Sequence, residues 1–146
     1  MPDDERSPLR RRVSVRIETP RGSFVKRELV DGALVARFAS PYPCPFDYGH
    51  VPGETGGDGE PRDAIWLGPR AKALDTVEGV VAGIVRFEDG GDEDDKWVVT
   101  ADGVINRRDT GRLHRFCRLY AAAKRLRGGS AKLLRIDVAK PPRKKR

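Results

Sequence analysis

The chain has 146 residues, a net charge of +7, 38% hydrophobic and 35% charged residues, which suits one domain with a single core under a heavily ionised surface. No apolar run approaches the roughly 20 residues that cross a bilayer, and "MPDDERSPLRRR" lacks the apolar centre of a secretory leader, so a cytoplasmic protein without membrane association is expected. Cys44 and Cys117 form no C-x-x-C pair and read as two reduced, inert thiols, while two histidines, His50 and His114, give poor support to an imidazole-built zinc site.

Residues 1–12 are expected to form a flexible basic arm, 13–139 one domain, and 140–146 a disordered basic tail in which Pro141 and Pro142 block regular structure. "VSVRIET" (Val13 to Thr19) alternates apolar and polar residues like a half-buried strand. "FVKREL" and "LVARF" read as two more strands joined by an Asp-Gly hairpin turn at Asp31 and Gly32. Residues 39–63, rich in Pro, Gly and acids, are expected to form a long ordered loop, and such loops usually serve function. "AIWLG" (Ala64 to Gly68), "TVEGVVAGIVRFE" (Thr76 to Glu88) and "KWVVT" (Lys96 to Thr100) follow as strands, with Gly79 and Gly83 marking bends or bulges. One segment has helical period: Leu113, Phe116, Cys117, Tyr120 and Ala123 share a face, with Asp109 or Thr110 as cap and Gly128-Gly129 as stop. "AKLLRIDV" closes the domain as a strand. Sixteen glycines and eleven prolines fit the same picture of many turns. The elements predict a mainly β (α+β) fold, a small curved sheet or barrel with a helix near the C-terminus packed against it.

The charge pattern raises a chemical question. "DYGHVPGETGGDGEPRDAI" (Asp47 to Ile65) holds Asp47, Glu54, Asp58, Glu60 and Asp63 in a basic protein, and "EDGGDEDDK" (Glu88 to Lys96) packs six acids into nine residues. A curved sheet can bring both acidic segments to one mouth, where their repulsion calls for a cation. Oxygen donors of this kind suit Mg²⁺, which binds through one or two carboxylates together with substrate phosphates. No EF-hand loop, Walker-type loop or G-x-S-x-G elbow is present. Metal-assisted hydrolysis of a phosphate compound, with Lys and Arg holding the anion, is the reaction class to test.

"ETPRGSFVKRE" (Glu18 to Glu28), "FDYGHVPGETGGDGEPRDAI" (Phe46 to Ile65) and "EDGGDEDDK" (Glu88 to Lys96) together resemble the three signature stretches of soluble family I inorganic pyrophosphatases, in the same order and at similar separations. The resemblance covers most of residues 13–125 and implies a five-stranded OB-like β-barrel with flanking helices, hydrolysis of pyrophosphate to two phosphates with Mg²⁺, and a homo-oligomer. It implies that Asp58, Asp63 and Asp94 hold metals, that Asp89 holds a further metal arriving with pyrophosphate, and that Glu18 completes the acidic ring with Glu28 near it. Lys26, Arg37, Tyr48, Lys96 and Tyr120 would grip the phosphoryl groups, and Glu60 and Asp63 would orient and deprotonate the attacking water.

Four departures stand out. Glu60 replaces the family's Asp, Cys44 stands where a Tyr is expected unless Tyr42 reaches in, Ala121 replaces a Lys although Lys124 lies one turn on, and Arg27 replaces a Tyr. They leave open a catalytically weakened homologue that binds metal and phosphate compounds. A different class, an OB-like nucleic-acid module, ranks below both: its strands would need stacking aromatics, and an acidic mouth repels phosphate without metal. Ordinary readings compete locally too. Tyr120 lies on the helix's apolar face, Arg37 could cap a sheet, and Asp47 fits a turn hydrogen bond better than a metal.

Overall fold

Val15 and Ile17, the inward half of the first alternation, are fully buried, and the strand around them opens a closed barrel. The computed structural model describes residues 7–39 and 43–140, so the outermost parts of the expected arm and tail, and Tyr42, lie outside the described residues. Strand β1 (Arg12–Thr19) pairs with β4 (Asp47–Thr55), β4 with β5 (Pro61–Trp66), β5 with β8 (Lys96–Thr100) and β8 with β6 (Thr76–Asp89). Pairing of β6 back onto β1 closes the ring of five strands, in which only β5 and β8 run parallel. The far half of β6 continues past the barrel to pair with β9 (Ala131–Val138) and the two-residue β7 (Asp92–Glu93). As expected, Gly83 adjoins a register shift. Gly79 instead permits a close approach of backbones, since a Cβ there would lie 2.3 Å from Thr100 O.

Strands β2 (Val25–Val30) and β3 (Ala33–Ala39) form a separate hairpin. Its turn residues Asp31 and Gly32 have φ of 51° and 82°, the left-handed pair that a two-residue hairpin loop requires.

The long loop expected over residues 39–63 is not what forms. Asp47–Thr55 and Pro61–Trp66 are paired strands, and only Gly56–Glu60 remains as a turn between them. Pro52 and Gly53, which read as loop formers, sit where the ladder register shifts between Val51 and Thr55, and Gly53 takes φ of 85°. A strand tolerates Pro and Gly at such an irregularity because no regular ladder bond is lost there.

Two apolar layers follow from the period of two. Val15, Ile17, Val51, Ala64, Trp66, Val81, Ile84, Trp97 and Val99 make one cluster from all five barrel strands. Their strand neighbours Tyr48, Ile65, Val85, Phe87 and Val98 point the other way, under Leu113, Cys117 and Ala121 of helix α1 (Arg107–Leu126). The helix cap differs from the expectation: Asn106, in extended conformation, accepts from Asp109 N–H at 2.8 Å, while Thr110 donates its hydroxyl to Asn106 O. An amide oxygen one turn earlier reaches the N3 amide, which Asp109 cannot do for itself. Gly128 ends the helix at φ of 90°, as the Gly-Gly signal implied. Burial pushes both thiols up to about 11, so Cys44 and Cys117 stay protonated and free at neutral pH.

One position holds the barrel's tightest approach. A Cβ on Gly49 would lie 1.8 Å from the backbone O of Arg16 across the β1–β4 pair. Neither backbone can yield without breaking the ladder, so Gly49→Ala is expected to cost about 3 kcal/mol, read as a lower denaturant midpoint at unchanged slope.

Candidate active site

Strand register assembles the polar centre. Asp63 on β5 faces His50 on β4 and Lys96 on β8 as direct cross-strand partners. Tyr48, two residues before His50, shares that face because side chains alternate along a strand. The first two chemical pieces are therefore fixed by backbone pairing alone. Lys96 is 1% exposed; its Nζ donates to Asp63 Oδ2 at 3.2 Å and to Asp94 Oδ2 at 3.0 Å. Tyr48 donates its hydroxyl to the same Asp63 oxygen at 3.1 Å. The two acidic segments singled out in the sequence thus meet on one ammonium.

Charge balance in this buried centre sets the protonation states. Burial alone would raise the Asp63 carboxyl, but the Lys96 and Lys26 ammoniums overcome it and hold it down at about 2. Asp94 moves the other way, raised by burial and by the neighbouring Asp63 charge against the pull of Lys96. Burial disfavours the charged form of Lys96, yet Asp63 and Asp94 raise it and keep it an ammonium. Tyr48 is pushed well above its ordinary range by burial and the adjacent carboxylates, so it is a hydroxyl donor at neutral pH.

A second group of cations surrounds Tyr120. The ammoniums of Lys26, Lys96 and Lys124 lie 5.6, 5.8 and 5.1 Å from its ring centroid, within cation–π range. Lys26 donates to the Tyr120 hydroxyl at 3.3 Å, and among the described residues no carboxylate oxygen lies within 4 Å of it. Tyr120 is thus half-buried against Phe38, Phe87 and Phe116 and also carries a polar contact, so packing and site placement coexist. Asp89 is paired with Lys124, the lysine one helical turn beyond Tyr120.

Of the remaining candidates, Glu18, Glu28, Arg37 and Glu60 line a cleft of about 320 Å³ together with His50 and Asp63. The β1–β4 register slips between Ile17 and Thr19, leaving Glu18 as the extra residue, and a bulge of this kind re-aims a side chain next to a site. Glu18 Oε2 accepts from Leu29 N–H at 2.6 Å and lies 3.3 Å from His50 Nδ1. Arg37 and Glu28 form a half-exposed pair on the β2–β3 hairpin. Asp58 stays on the exposed β4–β5 turn, where its Oδ1 accepts from Glu60 N–H at 3.0 Å. Among the described residues no three acids or imidazoles converge to hold a metal by themselves. Asp47 belongs elsewhere: its buried carboxylate is clamped by Arg21 and Ala71.

Sequence reasoning missed His50 and the Asp47–Arg21 clamp. His50 was discoverable: on a strand, Tyr48 and His50 must share a face, and reading residues 39–63 as loop hid that.

A closed five-stranded barrel carrying a buried Asp63–Lys96–Asp94 centre beside an acid-lined cleft defines the fold and the site, and the comparisons narrow the class. The family profile described as "Inorganic pyrophosphatase" matches residues 15–119. An inorganic pyrophosphatase of Gluconobacter oxydans (strain 621H) is 39% identical over 89 residues, which cover 58% of this chain and 51% of that protein. The match therefore spans about half the length of that curated relative. The crystal structure of the inorganic pyrophosphatase from Thermus thermophilus superposes with a TM-score of 0.77 at 25% identity, covering 94% of this chain and 87% of that one. That of Helicobacter pylori gives 0.77 at 22% identity, over 87% and 84% of the two chains, and supports the fold alone. The chain belongs to the inorganic pyrophosphatase family.

Proposed function

We propose that this protein hydrolyses inorganic pyrophosphate to two phosphates and requires Mg²⁺. The observation that carries the proposal is the buried Asp63–Lys96–Asp94 centre beside Lys26, an ammonium without a carboxylate partner among the described residues. Two carboxylates and one shared ammonium leave a net anionic pair of hard oxygen donors, which fits a divalent cation completed by water and phosphate oxygens. Within the same reading Asp58, Asp63, Asp94 and Glu18 serve the metals, Asp89 a further one, and Glu28 supports Glu18 from the hairpin.

Mg²⁺, when bound, neutralises phosphate charge and makes water a stronger acid. The chain's own residues do the rest. Lys26 and Lys96 present fixed ammoniums where charge builds on the transferred phosphoryl oxygens, and they need no reorganisation during reaction. Tyr48 and Tyr120 offer hydroxyls to the same anion. Arg37, at the cleft rim, holds the distal phosphoryl group. Glu60 orients the attacking water and accepts its proton, and Asp63 holds its position through Tyr48 and Lys96. A domain of residues 13–139 between basic termini, a cytoplasmic location and assembly with copies of itself belong to the same proposal. Among the described residues no helix is long and apolar enough to cross a membrane.

A substrate panel tests the assignment: pyrophosphate should be cleaved with Mg²⁺ at least tenfold faster than a nucleoside triphosphate or a phosphomonoester, and equal rates would sink it. Glu60 is the position of greatest interest. Its extra methylene displaces the carboxylate by about 1 Å relative to Asp, a misplacement that can cost ~100-fold. Glu60→Asp is expected to raise kcat by about tenfold or more with the thermal midpoint unchanged. A lower kcat in that variant would mean that the cleft is built around the longer acid.

A further inference from the structure

His50 lines the proposed metal cleft yet has no part in the scheme above. Its ring sits between two acids. Asp63 is its direct cross-strand partner on β5, and Glu18 Oε2 lies 3.3 Å from its Nδ1. Nδ1 is buried and, despite that short approach, lacks the alignment of a hydrogen bond to any group. Glu18 itself is 5% exposed and fixed by Leu29 N–H, so the carboxylate is held in place rather than drawn there by the imidazole.

Orientation is informative here. With Nδ1 turned to Glu18, Nε2 is the nitrogen left to serve the cleft that Glu60 and Asp63 also line. An imidazole whose Nδ1 lies beside a carboxylate and whose ring lines an acid-walled cleft has the setting of a metal-ligating histidine. In such sites the carboxylate fixes the tautomer and raises the basicity of the free nitrogen. A small rotation of the ring closes the Nδ1–H to Glu18 bond, and cation binding at Nε2 provides the reason to make it.

We propose that His50 is a nitrogen donor to a divalent cation in this cleft, with Glu18 as its orienting partner and Asp63 as an oxygen co-donor. The inference rests on the metal-dependent reading of the site and deepens it by naming the cation class. Imidazole favours Mn²⁺, Co²⁺ and Zn²⁺ over Mg²⁺, which prefers an all-oxygen shell. The cleft then takes borderline cations more tightly than carboxylates alone would allow. Water and phosphate oxygens complete the shell.

Mn²⁺ added to the full-length protein without substrate provides the test. Pulsed electron paramagnetic resonance on the native protein should show nitrogen modulation from a directly bound imidazole. It should vanish in His50→Gln and persist in His114→Gln, the chain's other histidine. Mn²⁺ binding by calorimetry should weaken about tenfold or more in His50→Gln, while Mg²⁺ binding changes little. Native protein without nitrogen modulation, or with modulation that survives His50→Gln, overturns the proposal regardless of how any variant folds. Mg²⁺-dependent phosphate release separates the two readings. Its presence without nitrogen modulation removes only the role of His50, and its absence removes the proposed function itself.

Discussion

Asp63→Asn is expected to lower kcat/KM for pyrophosphate by about 10³-fold, or roughly 4 kcal/mol of transition-state stabilisation. Asn keeps the shape and can still accept from Tyr48 and Lys96, so the contacts at 3.1 and 3.2 Å survive in weakened form. What disappears is the charge. Asp63 is the acid that the lysines hold most firmly ionised, with its carboxyl at about 2, whereas burial and the Asp63 charge raise the carboxyl of Asp94. Without Asp63, Lys96 is balanced by one carboxylate only, and the pair no longer carries the net negative charge that draws a divalent cation. Calorimetry should therefore show weaker Mg²⁺ binding, while circular dichroism keeps the native fold and the thermal midpoint falls by several degrees, because the paired charge of Asp63 also stabilises the native state. A variant that keeps more than about a tenth of native activity would move the metal-holding role away from Asp63.

The second large effect concerns stability and a side chain that takes no part in the proposed chemistry. Asp47 is completely buried and accepts four hydrogen bonds: Arg21 N at 2.8 Å, Arg21 Nε at 3.0 Å, Arg21 Nη2 at 2.6 Å and Ala71 N at 3.0 Å. Arg21 also donates to Gly68 O at 2.8 Å. One carboxylate thus ties the turn after β1, the start of β4 and the connection from β5 to β6. Asp47→Ala leaves a half-buried guanidinium and two backbone amides without their acceptor. Removing one partner of a buried pair costs about 3–5 kcal/mol, which lowers the thermal midpoint by roughly 10 °C in a chain of this size. Removing both partners, as Arg21→Met with Asp47→Leu, should cost less than the sum of the two single changes. Additive losses in that cycle would mean that the clamp is not a coupled unit.

The strands of the barrel were legible because Val13–Thr19 and Thr76–Glu88 combine β-branched residues with alternation, a pattern that survives without knowledge of partners. The helix was equally clear, although its cap was not. Asn106 precedes the first residue of the apolar period, Leu113, by about two turns, and the choice between Asn106, Asp109 and Thr110 depends on where the chain turns toward the barrel. β4 was the main misreading. Its Pro52 and Gly53 punctuate the sequence like a loop, but tertiary pairing places them at a register shift where their backbone habits do no harm. That misreading had a consequence for the site, since a loop has no faces and a strand does. The Asp63–Lys96 pairing needed the parallel register of β5 on β8, which no local pattern encodes. Pairing of Asp89 with Lys124 likewise depends on how α1 lies over the end of β6.

The measurement that addresses the central claim most directly is phosphate release from pyrophosphate by the purified native chain, in Mg²⁺ and again in excess EDTA. Steady turnover in Mg²⁺ that stops in EDTA and returns when Mg²⁺ is restored is the predicted result. No phosphate release in Mg²⁺ from folded protein, or release indifferent to EDTA, would contradict a carboxylate-held divalent site acting on pyrophosphate.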